Sequence, residues 1–121
     1  MGINTRLLGT IAEIRALNYL KKQGYIITEK NFRCKLGEID IIAWHKKTLC
    51  FIEVKSRTDI KFGFPQEAVT PAKQKRIIKV ANYYLNNKYT NLPYPNCRFD
   101  VVTILPKKGI NIITNAFSLN F

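Results

Sequence analysis

Residues 38–55 read EIDIIAWHKKTLCFIEVK, two apolar runs separated by the four residues HKKT at positions 45–48. Both runs are rich in β-branched and aromatic residues, and both have the length of strands rather than of helices. They therefore predict a β-hairpin with strands at Glu38–Trp44 and Leu49–Lys55.

The register of this hairpin decides which side chains meet across it. Symmetric closure about the peptide bond between residues 46 and 47 places Asp40 opposite Glu53, and Glu38 opposite Lys55. Directly opposed Cβ atoms are about 4.5–5.5 Å apart, so the hairpin is expected to bring two carboxylates together. Like charges in this position destabilise a sheet unless another group changes the balance.

The segments around the hairpin alternate between helical and strand patterns. A helix is expected from Thr5 to Gln23, and another beginning at the N-cap and proline pair Thr70-Pro71. In the first helix, the residues expected to face the core recur at helical spacing: Leu7, Ile11, Ile14 and Leu17. The remaining segments are three β-prone runs and one loop, at Tyr25–Thr28, Arg98–Leu105, Ile110–Ala116 and Thr58–Pro65. This order predicts one mixed α/β domain over residues 1–121, with a central mixed five-stranded sheet flanked by helices.

Composition points to a polyanionic partner. The 121 residues include 20 Lys and Arg against 8 Asp and Glu, a net charge of +12. Such an imbalance attracts nucleic acid first, although a basic surface that only confers solubility is the alternative. A membrane surface is a weaker candidate, because the basic residues do not gather on one amphipathic helix. Without a long apolar run or a secretory signal, we expect a cytoplasmic protein.

Cysteine and histidine offer no site of their own. The three cysteines, Cys34, Cys50 and Cys97, are widely spaced, and His45 is the only histidine. Zinc sites need clustered Cys and His ligands, so we expect reduced thiols packed as small hydrophobes. His45 is expected in a solvated turn.

Two acids inside apolar strands, Asp40 and Glu53, are the candidate chemistry of the chain. Mg²⁺ prefers one or two carboxylates and takes its other oxygens from water and substrate phosphate, so this pair fits a divalent cation. The carbonyl of Val54 could supply another oxygen, and Lys55 shares the Glu53 face of the strand. Such a set fits metal-dependent hydrolysis of a phosphodiester, with the lysine beside the attacking water or the phosphate.

Two further acids have open roles. Glu13 lies at the edge of the apolar face of the first helix, where it could reach the metal or face solvent. Asp100 lies in an apolar strand, where it could be a third ligand or form a structural ion pair with Arg98.

The acids and the Glu53-Val54-Lys55 triplet resemble the PD-(D/E)xK nuclease superfamily, and within it the YraN-like family of small bacterial proteins, which is similar to archaeal Holliday junction resolvases. The resemblance spans nearly the whole chain. The segments that carry it are Gly9-x-x-Ala12-Glu13, Asn31-x-Arg33, Gly37-Glu38-Ile39-Asp40, Phe51-x-Glu53-Val54-Lys55-x-Arg57, Phe62-Gly63, Lys73-x-x-Arg76, Tyr84-Leu85 and Arg98-Phe99-Asp100-Val101-Val102. In one departure, Ile39 stands where the superfamily has a proline.

This resemblance implies a restriction-endonuclease-like core with Mg²⁺ or Mn²⁺ held by Asp40 and Glu53. It also implies a catalytic Lys55 and a supporting Glu13. The expected function is an endonuclease on structured or branched DNA, acting as a monomer or a homodimer. A non-catalytic nucleic-acid-binding protein with a nuclease fold, and an assembly factor that binds protein, are the alternatives.

Four basic residues near the expected site are candidates for phosphate contacts, with a solvated basic face as the alternative. They are Arg33, Arg57, Lys73 and Arg76. Contacts of this kind give affinity and salt dependence without sequence preference.

Overall fold

The computed structural model describes residues 5–56, 69–105 and 109–118, with only the backbone described for residues 5–8. Its two helices and five strands follow the predicted order. In chain order they are α1 (Thr5–Lys22), β1 (Tyr25–Cys34), β2 (Gly37–His45), β3 (Thr48–Ser56), α2 (Pro71–Lys88), β4 (Asn96–Leu105) and β5 (Gly109–Phe117). The loop predicted at Thr58–Pro65 lies outside the described residues.

The five strands form one sheet in the order β1-β2-β3-β4-β5. β3 and β4 are parallel, and the helix α2 provides the crossover connection that a parallel pair needs. The other neighbouring strands are antiparallel. One face of the sheet buries a cluster with α2, and the other buries a cluster with α1. The predicted mixed five-stranded sheet flanked by helices is therefore confirmed.

The central hairpin has the predicted register over five residue pairs. The β2–β3 ladder runs from His45↔Thr48 to Ile41↔Ile52, with Lys46 at a positive φ of 58° in the two-residue turn. The ladder ends there, so the pairing of Asp40 with Glu53 and of Glu38 with Lys55 falls beyond it. Glu38 instead pairs with Arg33 of β1.

Helix α1 packs on the sheet through a different face from the predicted one. Ile11 and Ile14 are 45% and 52% exposed, whereas Ala12, Ala16 and Leu20 are buried. Of the four expected residues, Leu17 packs beside this face and the side chain of Leu7 lies outside the described residues. The prediction was wrong for Ile11 and Ile14, because small alanines, spaced four residues apart, let the helix lie close to the sheet.

Strand β1 is longer than the predicted Tyr25–Thr28 and continues to Cys34. The polar residues that suggested an end belong to an edge strand with one solvated face. The strand is irregular, because its register with β2 shifts between Ile27 and Glu29 and Asn31 has a φ of 52°.

Helix α2 begins as predicted. Thr70 is the N-cap, its side-chain oxygen accepting a hydrogen bond from the backbone N–H of Lys73 at 3.2 Å, and Pro71 is the first helical residue. The predicted apolar side packs on the sheet through Ile77, Ile78, Ala81, Tyr84 and Leu85. The cap thus fixes where the first turn of α2 lies above the carboxyl-terminal half of β3.

Candidate metal and phosphate site

Asp40 lies where the regular alternation of β2 breaks. Ile39 packs on the α2 face of the sheet and Ile41 packs on the α1 face, although residues two apart in a regular strand share a face. With the β2–β3 ladder ended, the Asp40 Oδ2 accepts a hydrogen bond from the Val54 backbone N–H at 2.8 Å. The carboxylate therefore bridges the two diverging strands.

Glu53 reaches the same place from β3. Its neighbour Ile52 packs on the α1 face, so Glu53 points towards α2. Glu53 is only 6% exposed, and its Oε1 lies 2.7 Å from the Nζ of Lys73 in the first turn of α2. A buried carboxylate and a half-exposed ammonium thus form an ion pair at the start of the helix.

Electrostatics distinguish Asp40 from an ordinary aspartate. Burial and then the negative charge of Glu53 raise the pKa of Asp40 from 3.8 to about 7, although the Val54 N–H opposes the shift. Glu13 adds to the rise and Lys73 reduces it. Burial lowers the pKa of Lys73, but its hydrogen bond and charge interaction with Glu53 outweigh this and leave it raised. The protein therefore favours the protonated form of Asp40 over its carboxylate, while the Glu53 carboxylate is paired with Lys73.

The acids open into a cavity of about 160 Å³, which we call the carboxylate pocket. Its lining residues come from β2, β3 and α2: Gly37, Glu38, Asp40, Glu53, Lys73, Arg76 and Ile77. Gly37 has a φ of 143°, and a Cβ there would lie 3.2 Å from the Cγ and Cδ of Arg76. The missing side chain lets the arginine stem cross the start of β2 beside the pocket.

The structure brings most of the predicted site residues together. Asp40, Glu53, Lys73 and Arg76 line one pocket, and Val54 contributes its backbone N–H to Asp40. The Val54 carbonyl, proposed as a ligand, stays a prediction.

The other predicted residues lie around this group. Lys55 follows on the Glu53 side of β3 and is half-buried. Arg33 lies 3.0 Å from Glu38 in an exposed ion pair at the pocket rim. Arg57, also predicted to contact phosphate, lies outside the described residues.

Glu13 is held by a residue that sequence reasoning gave no role. Asn31 donates a hydrogen bond from Nδ2 to Oε2 of Glu13 at 3.3 Å, which ties α1 to β1. Asparagine tolerates the left-handed backbone that position 31 adopts, so the Asn31-x-Arg33 segment contained this signal. Gly37 likewise belongs to a motif segment, but its close approach to the Arg76 side chain could not be predicted from the sequence.

The donor set fits a hard divalent cation. Two carboxylates in one pocket, one with a raised pKa, gain stability from added positive charge, and oxygen ligands suit Mg²⁺ or Mn²⁺. Within residues 5–56, 69–105 and 109–118, no three His, Cys, Asp or Glu side chains form a group that could hold a metal. A cation bound by Asp40 and Glu53 would therefore take further oxygens from backbone, water or substrate.

Of the two roles predicted for Asp100, a third metal ligand or a structural ion pair with Arg98, the structure shows the ion pair. It is fully buried, and Arg98 donates to it from Nε and Nη2, both at 2.9 Å. The Tyr25 hydroxyl and the Asn115 N–H donate to it as well, at 3.1 and 2.9 Å. This Asp100 cluster binds β1, β4 and β5 together.

His45 belongs to the same region. It stacks on Tyr25 with ring centroids 4.3 Å apart, and its Nδ1 lies 3.2 Å from Nη2 of Arg98. The expected solvated-turn position was wrong, because the turn is only two residues long and His45 still belongs to β2. The three cysteines are free thiols, and Cys50 is buried as expected.

In the part of the chain that the structure describes, no helix is both long and apolar enough to cross a membrane.

A solved structure shares this fold. Hjc, a Holliday junction resolvase from Archaeoglobus fulgidus, aligns with a TM-score of 0.51 over 82% of this chain and 72% of its own, at 20% sequence identity. The likeness supports the restriction-endonuclease-like core that the motifs implied.

Sequence relatives are much closer. UPF0102 proteins of Lachnoclostridium phytofermentans and Clostridioides difficile are each 49% identical over 117 residues, covering 95% of this chain and 96% and 100% of theirs. A UPF0102 protein of Caldicellulosiruptor saccharolyticus is 46% identical over 121 residues, covering 95% of this chain and all of its own. The model of the uncharacterised protein family UPF0102 matches residues 12–104, and the chain belongs to that family, the YraN-like family that its motifs resemble.

Proposed function

We propose that this protein is a metal-dependent nuclease that hydrolyses phosphodiester bonds in nucleic acid. The observation that carries the proposal is the pair of acids, Asp40 and Glu53, that line one pocket, where burial and the charge of Glu53 disfavour the carboxylate form of Asp40. A protein with few acids and a net charge of +12 has no structural need to place two of them together.

The side chains of the pocket divide the work between cation and phosphate. Asp40 and Glu53 would hold Mg²⁺ or Mn²⁺, with the Val54 carbonyl as a further oxygen, and the Val54 N–H fixes the orientation of Asp40. When bound, the ion polarises the phosphoryl group and lowers the pKa of the attacking water. Arg76 and Lys73 line the same pocket from α2, where cations can bind the non-bridging phosphate oxygens.

Three further residues have proposed roles beside this pair. Lys55, on the Glu53 side of β3, would orient the nucleophile and offset the negative charge of the transition state. Glu13, held by Asn31, adds negative charge next to Asp40 and supports cation binding from α1. Arg33 at the rim would bind a neighbouring phosphate after leaving its exposed pair with Glu38.

DNA with branches or other structured regions is the substrate we propose. The support is the strong positive charge together with the resolvase fold of the structural neighbour. Symmetric cleavage of a four-way junction needs two active sites, so a homodimer belongs to this proposal.

The test is cleavage of labelled junction, flap, duplex and single-stranded DNA with Mg²⁺, with Mn²⁺ and with EDTA. We expect cleavage that EDTA abolishes and that falls about 10²–10³-fold in Asp40→Asn. Glu38→Gln is the matched control, because Glu38 lines the same pocket but pairs with Arg33, and it should cleave as the wild type does. Cleavage that survives EDTA or Asp40→Asn would contradict the metal mechanism.

A non-catalytic nucleic-acid-binding protein is the second candidate, favoured by one contact. The Lys73 ammonium already neutralises Glu53 at 2.7 Å, which is an arrangement that a binding protein could keep without any cation. This alternative predicts salt-sensitive binding that leaves every substrate intact with either metal.

A further inference from the structure

We infer that the protein has a second nucleic-acid site, a groove between β1 and the carboxyl-terminal half of α2 that binds one unpaired nucleobase. The inference rests on the proposed function and names the substrate class, which is DNA with an unpaired base close to the cleaved bond. The groove, which we call the aromatic groove, is lined by Glu29, Phe32, Tyr83, Tyr84, Asn87 and Lys88.

The aromatic groove contains an exposed aromatic ring. Tyr83 is 42% exposed, whereas its neighbour Tyr84 is only 5% exposed. The ring centroid of Tyr83 lies 6.4 Å from that of Phe32, which in turn packs edge-on against the buried Tyr84 at 5.1 Å. Tyr83 is thus an exposed ring next to Phe32, which itself packs on Tyr84, and exposed aromatic rings are the side chains on which bases stack.

The groove has the size and polarity for a base rather than for a phosphate. Its volume of about 320 Å³ is sufficient for a small ligand. Glu29 on its wall would repel a phosphate, whereas a carboxylate accepts hydrogen bonds from the amino group of a base. The base would therefore enter the groove while the backbone of the strand stays outside it.

The strand backbone has a basic path from the groove to the carboxylate pocket. Arg76, Lys79 and Tyr83 follow one another at three- and four-residue spacing, so they form one exposed row along α2. Lys88 adds a positive charge at the groove itself. This row gives the charge complementarity that a nucleic-acid strand requires and an uncharged peptide does not.

The separation of the two sites sets the position of the base. Tyr83 follows Lys73 by ten residues, about 15 Å along the helix axis. A stacked strand rises about 3.4 Å per nucleotide, so the bound base lies about four nucleotides from the cleaved phosphodiester. Blunt duplex cannot supply that base without unpairing, whereas a flap, a junction or a single strand can.

The experiment places the fluorescent base 2-aminopurine at successive positions of a single-stranded oligonucleotide and of a flap, and follows its emission on binding in EDTA. Stacking on Tyr83 should quench the emission at one or two adjacent positions with the wild-type protein. Quenching at no position would overturn the inference without requiring any variant.

Variants then assign the contact. Tyr83→Ala should lose the quenching and bind single strands about tenfold more weakly, with an unchanged salt dependence, whereas Tyr83→Phe should keep both. Lys79→Ala should keep the quenching and lower the salt slope by about 0.7. Tyr19→Ala, on α1 across the sheet, is the matched control and should behave as wild type. Unchanged single-strand binding by a folded Tyr83→Ala, or an equal loss on blunt duplex, would contradict the site.

The two proposals fail in different ways. Quenching that depends on Tyr83, without cleavage in Mg²⁺ or Mn²⁺, would keep the aromatic groove and reject the nuclease. Cleavage that depends on Asp40, without quenching, would keep the nuclease and reject the groove.

Discussion

Two buried acidic centres lie on the same sheet and differ in how their charge is met. Asp100 receives four hydrogen bonds, two of them from Arg98, and stabilises the end of the sheet. Asp40 receives one bond, from Val54 N–H, and lies beside a second carboxylate. The charge of the first centre is met within the protein, whereas at the second we propose that an added cation completes the balance. The contrast separates an acid that maintains the fold from the acids to which we assign a chemical role.

The largest expected effect is on stability, from Asp100→Asn. Asparagine would turn an amide donor towards groups that already donate, and would leave Arg98 half-buried without its counter-charge. We expect unfolding to become easier by about 3–5 kcal/mol, with the melting temperature lowered by more than about 10 °C. Thermal unfolding followed by circular dichroism measures it, and a loss below about 1 kcal/mol would remove the contrast.

Asp40→Asn should act in the opposite direction. The amide oxygen can still accept from Val54 N–H while the repulsion with Glu53 disappears, so the metal-free variant should be more stable than wild type at pH 8. We expect a gain on the order of 2 kcal/mol, measured by urea unfolding in EDTA. A loss of stability would mean that Asp40 is itself a structural acid.

The pH dependence sharpens the same comparison. The pKa of Asp40 is about 7 in the folded chain against an ordinary 3.8, so between these values the folded state keeps a proton that the unfolded chain has lost. Wild-type stability should therefore fall, relative to Asp40→Asn, as the pH rises from about 4 to 7, and the difference should stay constant above that. A constant difference over the whole range would contradict the raised pKa.

A smaller effect is expected at Lys73. Removing its ammonium in Lys73→Ala leaves Glu53 buried without its partner, but Lys73 is partly solvated. The metal-free variant should lose about 1–2 kcal/mol of stability, and added Mn²⁺ should restore most of it by compensating Glu53. Parallel thermal melts with EDTA and with Mn²⁺ measure the recovery of stability. If the stability of Lys73→Ala stays equally low in Mn²⁺, the result would count against a cation at this position.

The smallest effect is expected from the ion pair between Arg33 and Glu38, whose side chains are 74% and 54% exposed. Arg33→Ala should change the free energy of unfolding by less than about 1 kcal/mol. Its effect should instead show in DNA binding, as a lower salt slope in a titration. A large stability loss would mean that the pocket rim is a structural element.

Much of the fold was predictable because local patterns carry it. Symmetric closure about residues 46 and 47 gave the hairpin register, and Thr70-Pro71 marked the start of α2. The face of α1 was missed because periodicity favours Ile11 and Ile14, whereas tight packing favours Ala12 and Ala16. The spacing of apolar residues shows which side of a helix is hydrophobic, but it does not show how closely the helix approaches the sheet.

The site was predictable only in part, for a related reason. Asp40 and Glu53 were found because acids in apolar strands are unusual, but their meeting depends on a break in β2 that no local pattern signals. The contact of Lys73 with Glu53 joins residues on different elements, and so does that of Asn31 with Glu13. Such contacts follow from the path of the whole chain, which spacing within one element does not reveal.

The most direct test is Mn²⁺ binding at pH 8, followed by loss of the paramagnetic resonance signal of the free ion, for wild type, Asp40→Asn and Glu38→Gln. We expect wild type and Glu38→Gln to bind alike and Asp40→Asn to bind at least about tenfold more weakly. Equal binding by all three proteins, or none by the wild type up to millimolar Mn²⁺, would contradict a cation site at Asp40 and Glu53.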